Sequence, residues 1–336
     1  MKLFSIFLLF FTSITFANSS LYERGKAYYY GDGVKQDYDK ALSAFEHALK
    51  LNDLDAQTAL GLMYIQGHGV DQNDKKGILF LQKSAKAGHA KAQYSLGSMY
   101  YLGIGLERDL TLASKWIKKS ANQGYADAQH NLALLYETGE GVKRNSLLMN
   151  KWRLEAAKSG NSDEQFRLGS AYFDDKDYTH AYKWLLLSAR QDHAHSQALL
   201  ATLFDHGQGV SKNSIEAFNW YQKSYKNGYK KAGIRLAQLY DKGIGTTQDY
   251  KKSHKLYQML VKQGNLDAYL DIARHYELGQ GVDKNLSKMY SFIIAASRKG
   301  HQGAQRKVVE LYQQGKGVKK SGKKAQYWID KLKKLP

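Results

Sequence analysis

One interval governs this sequence. Tyr28, Tyr64, Tyr100, Tyr136 and Tyr172 stand 36 residues apart, and after a single step of 32 to Phe204 the interval returns at Tyr240, Tyr276 and Tyr312. A fixed period of this size restricts the chain to an array in which each unit buries its apolar face against its neighbours. The nine units run near 20–53, 54–89, 90–125, 126–161, 162–193, 194–229, 230–265, 266–301 and 302–334.

Each unit reads as two helices. Four residues before the aromatic stands Leu60, Leu96, Leu132, Leu168, Leu200, Leu236, Ile272 or Val308, beside a small residue such as Gly61, Gly97, Ala133 or Gly169. Eight before it is another small residue, as at Ala56, Ala92 and Ala128. Spacings of four and eight share one side of a helix, so these residues define a helix A whose small positions admit a close neighbour. Nine residues after the aromatic comes Asp37, Asn73, Asp109, Asn145, Asn213, Asp249, Asn285 or Ser321, all N-cap types that start a helix B. Helix B carries Phe80, Trp116, Trp152, Trp184, Trp220, Phe292 or Trp328 on its expected inner face and ends at Gly88, Gly124, Gly160, Gly228, Gly264 or Gly300.

Between the helices lie paired glycines, from Gly31 and Gly33 to Gly315 and Gly317. Taken singly, GLMYIQGHGV looks like a phosphate loop. It has no third glycine, no Lys-Ser/Thr and no preceding strand pattern, and it recurs eight times, so these are helix-to-helix turns. The fifth unit departs from the pattern: it reads YFDDKDYTHAYKW, lacks both glycines and is four residues short, which predicts altered stacking there.

Units such as AQYSLGSMYYLGIGLERDLTLASKWIKKSANQGY (Ala92 to Tyr125) resemble the Sel-one-like repeat, a longer-looped relative of the tetratricopeptide repeat, over about residues 20 to 334. The resemblance implies an all-α fold, an α/α solenoid coiled as a right-handed superhelix of nine helix-pair repeats, used as a scaffold or adaptor. It also implies, for a bacterial member, export and a link to envelope function, host contact or virulence. Some exported relatives are stapled by disulfides. This chain has no cysteine, so it cannot form disulfides, bind metal through thiolates or carry a lipid on cysteine.

MKLFSIFLLFFTSITFANSS has Lys2, an apolar run from Leu3 to Phe16, and small residues at Thr15 and Ala17. It reads as a signal peptide of residues 1–17, since the run is interrupted by hydroxyl residues and is shorter than the ~20 residues a spanning helix needs. A periplasmic or secreted chain is expected, without a transmembrane span once the signal is removed.

No catalytic constellation emerges: there is neither His-Glu-x-x-His nor Gly-x-Ser-x-Gly. Ser321-x-x-Lys324 matches one element of penicillin-recognising serine enzymes, but Ser321 occupies an N-cap position and the companion motifs are missing. A wall or antibiotic hydrolase is therefore the weakest reading, and no cofactor is implied. His193 and His195 suggest a metal pair, yet His89, His193 and His301 share a repeat position with Tyr125 and Tyr229, which assigns them to packing or turns.

Partners must be read from surfaces. Positions two, six and nine residues after the small helix A anchor share one face, and include Tyr22, Lys26 and Tyr29; Thr58, Leu62 and Ile65; Tyr94, Ser98 and Tyr101; Phe166, Ser170 and Phe173; Ala198, Thr202 and Asp205; and, in the seventh unit, Asp241. The candidate protein-binding residues are Tyr22, Tyr29, Tyr94, Tyr101, Phe166 and Phe173, because aromatics concentrate interface energy. The formal net charge is +19, with 19 Lys and Arg against 15 Asp and Glu in residues 18–160, and 30 against 16 in residues 161–336. The basic cap, residues 316–336, carries Lys319, Lys320, Lys323 and Lys324, the candidate contacts for an anionic envelope component, surface or polymer. Nucleic acid is not expected, because the remaining lysines and arginines interleave along helix B as a solvated face.

Overall fold

The structure, a computed structural model, describes residues 20–333; the signal-peptide reading falls outside the described residues. Eighteen helices and no strand appear among those residues, so the all-α helical repeat solenoid stands. The chain divides between Glu164 and Gln165 into two compact units, at the start of the short fifth repeat.

The first unit holds α1 (Leu21–Tyr30), α2 (Tyr38–Leu49), α3 (Leu54–Gln66), α4 (Asp74–Lys86), α5 (Ala90–Leu102), α6 (Leu110–Ala121), α7 (Ala126–Thr138) and α8 (Ser146–Lys158). Helix α9 (Ser162–Asp174) begins in it and continues into the second unit. There follow α10 (Tyr178–Ala189), α11 (Ala194–His206), α12 (Ser214–Lys226), α13 (Ala232–Lys242), α14 (Tyr250–Lys262), α15 (Leu266–Leu278), α16 (Leu286–Arg298), α17 (Gln302–Gln314) and α18 (Gly322–Lys333). Leaving aside α9, which runs from one unit into the other, each helix packs on the next in its unit, which is the connectivity of stacked helix hairpins.

The predicted punctuation is realised. Asn73 Oδ1 accepts from the Lys76 amide at 2.9 Å, Asp109 from Leu112 at 2.8 Å and Asn285 from Lys288 at 2.9 Å, and Ser321 accepts from the Lys324 amide at 3.3 Å. The first loop glycine ends helix A in the left-handed region, as at Gly67 (φ 69°). In the first and fifth repeats, Asn52 (φ 60°) and Asp192 (φ 63°) stand where six others end helix B with glycine, and both types tolerate that conformation through local hydrogen bonding. The fifth repeat replaces its glycine loop by a tight turn with Lys176 at φ 64°.

The second loop glycine has a different task. A Cβ on Gly141 would collide with the Leu110 carbonyl, on Gly245 with Ser214 and on Gly281 with Tyr250, each 31 residues earlier at the start of the preceding helix B. The loop of one repeat therefore lies directly on the backbone of the one before. Gly33, in the first matched repeat, meets nothing within 4 Å.

The core differs from expectation in one register. Within helix B the large side chains that are buried most regularly are Phe45, Leu81, Ile117, Leu185, Tyr221, Tyr257 and Ile293, one residue after the tryptophan and phenylalanine row. Of that aromatic row, Trp152 and Trp328 are buried, while Phe80, Trp116, Trp184, Trp220 and Phe292 are half-buried. The reason is the glycine on helix A: a Cβ at Gly97 would come 2.8 Å from Ile117, and at Gly61 3.0 Å from Leu81, so the closest approach of the two helices falls on that row. The larger rings flank the contact and carry lysines, as with Lys119 4.4 Å from the Trp116 ring centroid and Lys223 4.3 Å from that of Trp220.

Candidate functional site

Helices α1, α3, α5 and α7 are the A helices of the first unit, and their small-residue face turns toward helix B. Tyr94 and Tyr101, seven residues apart on α5, come together with Asn131, Leu134 and Leu135 of α7 around a cleft of about 530 Å³. Ile117 contributes to its apolar lining, and Ser98, Thr138 and Glu140 supply polar groups. The two phenols are half-buried and oriented: Asn131 donates to the Tyr94 hydroxyl at 2.8 Å, and the Tyr101 hydroxyl donates to Glu140 at 2.7 Å. The Glu140 bond raises the Tyr101 pKa, with burial adding to it, and burial raises that of Tyr94, so both remain neutral phenols. Leu102, 59% exposed, stands at the edge of the cleft. An apolar recess with fixed polar groups at its margin suits the side chain of a protein ligand.

Tyr22 and Tyr29 line a smaller recess of about 90 Å³ with Lys26, Phe45, Leu62 and Lys91. Burial, then the nearby Asp55 and Glu23 carboxylates, pushes Tyr22 up to about 12. The Tyr29 hydroxyl bonds Gln66 at 2.7 Å and His68 at 2.8 Å. Phe166 and Phe173 lie on α9 and pack into the first core of the second unit, where Phe166 stacks near His193 (4.6 Å) and His195 (5.8 Å) and Phe173 meets Tyr178 edge-on at 5.5 Å. Both are half-buried. Lys319, Lys320, Lys323 and Lys324 are exposed on the last loop and first turn of α18.

Four positions expected to face a partner are instead buried: Thr58, Ala198, Asp205 and Asp241. Thr58 bonds Ser84 at 2.9 Å and His89 at 2.8 Å. Asp205 accepts from Arg235 at 2.7 Å, while Asp241 accepts from Arg274 and His275 and from the Tyr257 hydroxyl at 3.2 Å. The two aspartates join repeats, whereas the Thr58 bonds tie together the two helices of its own repeat.

Sequence reasoning overlooked the residue between the two loop glycines. It reaches back 39 positions to helix A of the preceding repeat: His68 to Tyr29, Glu140 to Tyr101 and Lys316 to Glu277. Its variation from loop to loop, through Asp32, His68, Ile104, Glu140 and Lys316, was the available signal. The shared histidine position also finds its role: His89, Asn161 and His301 begin helix A and bond Asp55, Asp127 and Asp267, each 34 residues earlier, at 3.1, 3.2 and 3.2 Å. Among the described residues no cluster of three or more His, Cys, Asp or Glu is placed to hold a metal ion, and no helix is long and apolar enough to cross a membrane.

The Asp241 cluster carries a pH dependence. His254 stacks on His275 with ring centroids 5.5 Å apart. Burial, and the positive charge of His275 and Lys288 against the opposing Asp241, lower the His254 pKa from its ordinary 6.5. The unfolded chain therefore takes up this proton first, and the contribution of His254 to stability is present above pH 6.5 and lost as pH falls toward the lowered value. Urea midpoints at pH 7.5 and 5.0 are expected to differ less in His254→Asn than in the unsubstituted chain; an unchanged difference contradicts this assignment.

Nine segments of the chain match the Sel1 repeat model, at residues 18–51, 54–89, 90–125, 126–161, 165–193, 194–229, 231–265, 266–301 and 304–334. Among solved structures the chain is similar to a protective antigen present in uropathogenic Escherichia coli strains that displays an SLR fold, at 29% identity over 93% of this chain and 68% of that one, with a TM-score of 0.58. It is also similar to a Sel1 repeat protein from Oxalobacter formigenes (26% identity, 87% of this chain and 85% of that one, TM-score 0.47) and to an immunity protein from Pseudomonas aeruginosa (18% identity, 62% and 80%, TM-score 0.45). No curated protein matches significantly. Sel1 repeat proteins generally mediate protein–protein interaction, and the repeat is generally a non-catalytic scaffold. With matched repeats spanning residues 18 to 334, the chain belongs to the Sel1 repeat family.

Proposed function

We propose that this chain is an exported, non-enzymatic scaffold that binds another protein through the A-helix face of its repeats, in envelope function or host-cell contact. The observation that carries the reading is the Tyr94–Tyr101 cleft, where α5 and α7 present two hydrogen-bonded phenols above an apolar floor. Rigid aromatic side chains beside a recess are the usual seat of interface energy. The similarity to a protective antigen of uropathogenic Escherichia coli supports an exported setting, as does the leader-like composition of residues 1–17.

The test is affinity capture with residues 18–336 from the native envelope fraction and from host-cell lysate, at low and high salt. A protein retained at high salt is expected, with its affinity falling by about 2 kcal/mol or more, roughly thirtyfold, when Tyr94 and Tyr101 are both changed to alanine. Undiminished binding by that variant removes the cleft from the account. Export is tested separately: mass spectrometry of the envelope fraction should find an N-terminus at Asn18.

A further inference from the structure

The loops that join helix A to helix B differ in charge along the chain, and their stacking makes the difference spatial. From the first loop glycine to the third residue of helix B, the first four repeats carry 7 basic and 8 acidic residues, whereas the seventh to ninth carry 9 and 2. In the second unit the loop of the eighth repeat lies on the start of α14, where a Cβ on Gly281 would meet Tyr250, and the loop of the ninth lies on α16, where a Cβ on Gly317 would meet Leu286. These three segments therefore form one continuous edge.

The lysines on this edge are partly ordered. Lys252, Lys288 and Lys324, each 36 residues apart, place their ammonium groups 5.4, 5.3 and 5.5 Å from the ring centroids of Tyr240, Tyr276 and Tyr312. Each cation is thereby held over an aromatic face, and the arrangement recurs once per repeat on the successive B helices α14, α16 and α18. Lys284, Lys319, Lys320 and Lys323 are exposed beside them. Of the two acidic residues, Asp249 engages Lys252 at 3.2 Å and Asp283 is exposed next to Lys284; Lys316 is held by Glu277, outside these segments, and the other seven lysines leave a positive surplus.

We infer that the loop edge of repeats seven to nine is a binding surface for a linear anionic polysaccharide, contacted by Lys284, Lys288, Lys319, Lys320, Lys323 and Lys324. A row of cations at a regular spacing complements a polymer carrying anions at intervals better than it does a single small anion. A membrane fits less well, because among the described residues none of the exposed large apolar side chains lies on these segments to enter the lipid. Single-stranded nucleic acid fits less well too, since the rings beneath the lysines, Tyr240, Tyr276 and Tyr312, are buried and offer no face for stacking bases. This surface is separate from the Tyr94–Tyr101 cleft, which lies in the other unit.

The experiment compares binding of residues 18–336 to heparin and to polygalacturonate with binding to phosphatidylglycerol vesicles and to oligothymidylate. Lys288→Glu/Lys320→Glu/Lys324→Glu is set against Lys35→Glu/Lys75→Glu/Lys76→Glu, which makes the same change in net charge on the balanced edge. Glutamate near the start of a helix favours its dipole, so both variants retain their helices, which circular dichroism checks. The expected result is salt-sensitive binding to both polysaccharides, weakened about tenfold or more by the first variant and little by the second. Equal weakening by both variants, no binding to either polysaccharide, or tighter binding to vesicles or oligothymidylate overturns the inference.

Discussion

Gly141→Ala is expected to destabilise the first unit by about 3 kcal/mol or more, while Gly33→Ala, at the same place in its own loop, loses only about 1 kcal/mol. Both glycines have left-handed backbones, with φ of 68° and 69°, and both substitutions carry that conformational penalty. The difference is what lies beneath. At Gly141 the new methyl would strike the Leu110 carbonyl of the preceding repeat, whose backbone is fixed by α6. At Gly33 the methyl enters open space. Since stability in a repeat array is largely a sum of unit and nearest-neighbour terms, the damage should fall on the junction between the third and fourth repeats. Urea unfolding of residues 18–336 reads both effects. Equal shifts of the two midpoints would mean that the loop glycine serves its own turn and not the stacking of repeats.

Asp241→Ala is expected to destabilise the second unit by about 2–4 kcal/mol, because it leaves the buried His275 and Tyr257 donors without their acceptor, while Arg274, 42% exposed, can turn to water. The Asp241 carboxylate is 3% exposed and accepts from Arg274, from His275 at 2.9 Å and from the Tyr257 hydroxyl at 3.2 Å. Hydrogen bonds from His275 and Ser253 and the charges of His275 and Arg274 hold its pKa below the ordinary value, outweighing the larger opposing effect of burial. Its contribution is therefore present above the ordinary carboxylate pKa and lost as pH falls through the lowered one. Without it, the Arg274 charge and the fully buried His275 ring lose their acceptor together. Asp249→Ala, by contrast, removes an exposed N-cap and is expected to lose about 1 kcal/mol. A comparable loss at both positions would show that the Asp241 cluster is not coupled as its geometry indicates.

The repeat, the caps and the turns were legible in the sequence because each depends on a local backbone requirement that few residue types meet. Asn and Asp start helix B, glycine ends helix A, and Asn52 and Asp192 take over where a glycine is missing. Facing was harder to read. Trp116 and Trp220 suggest an inner face by size and hydrophobicity, yet Ile117 and Tyr221 sit deeper because the small residues of helix A bring the helices closest there. The acidic residues Asp205 and Asp241 looked solvent-directed, since their partners, Arg235 and His275, lie 30 and 34 residues on and meet them only through stacking. In the cleft, Tyr94 and Tyr101 followed from helical spacing. Asn131 and Glu140 did not, because one comes from the next helix A and the other from the middle of a loop.

The most direct test of the scaffold reading places a photoactivatable phenylalanine analogue at Leu102 beside the cleft and, in a separate chain, at Leu79 on helix B of the second repeat; these side chains are 59% and 51% exposed. Irradiation in the native envelope should yield a discrete protein adduct from position 102, diminished by Tyr94→Ala, and none from position 79. Adducts from position 79 with none from position 102 would contradict binding through the A-helix face.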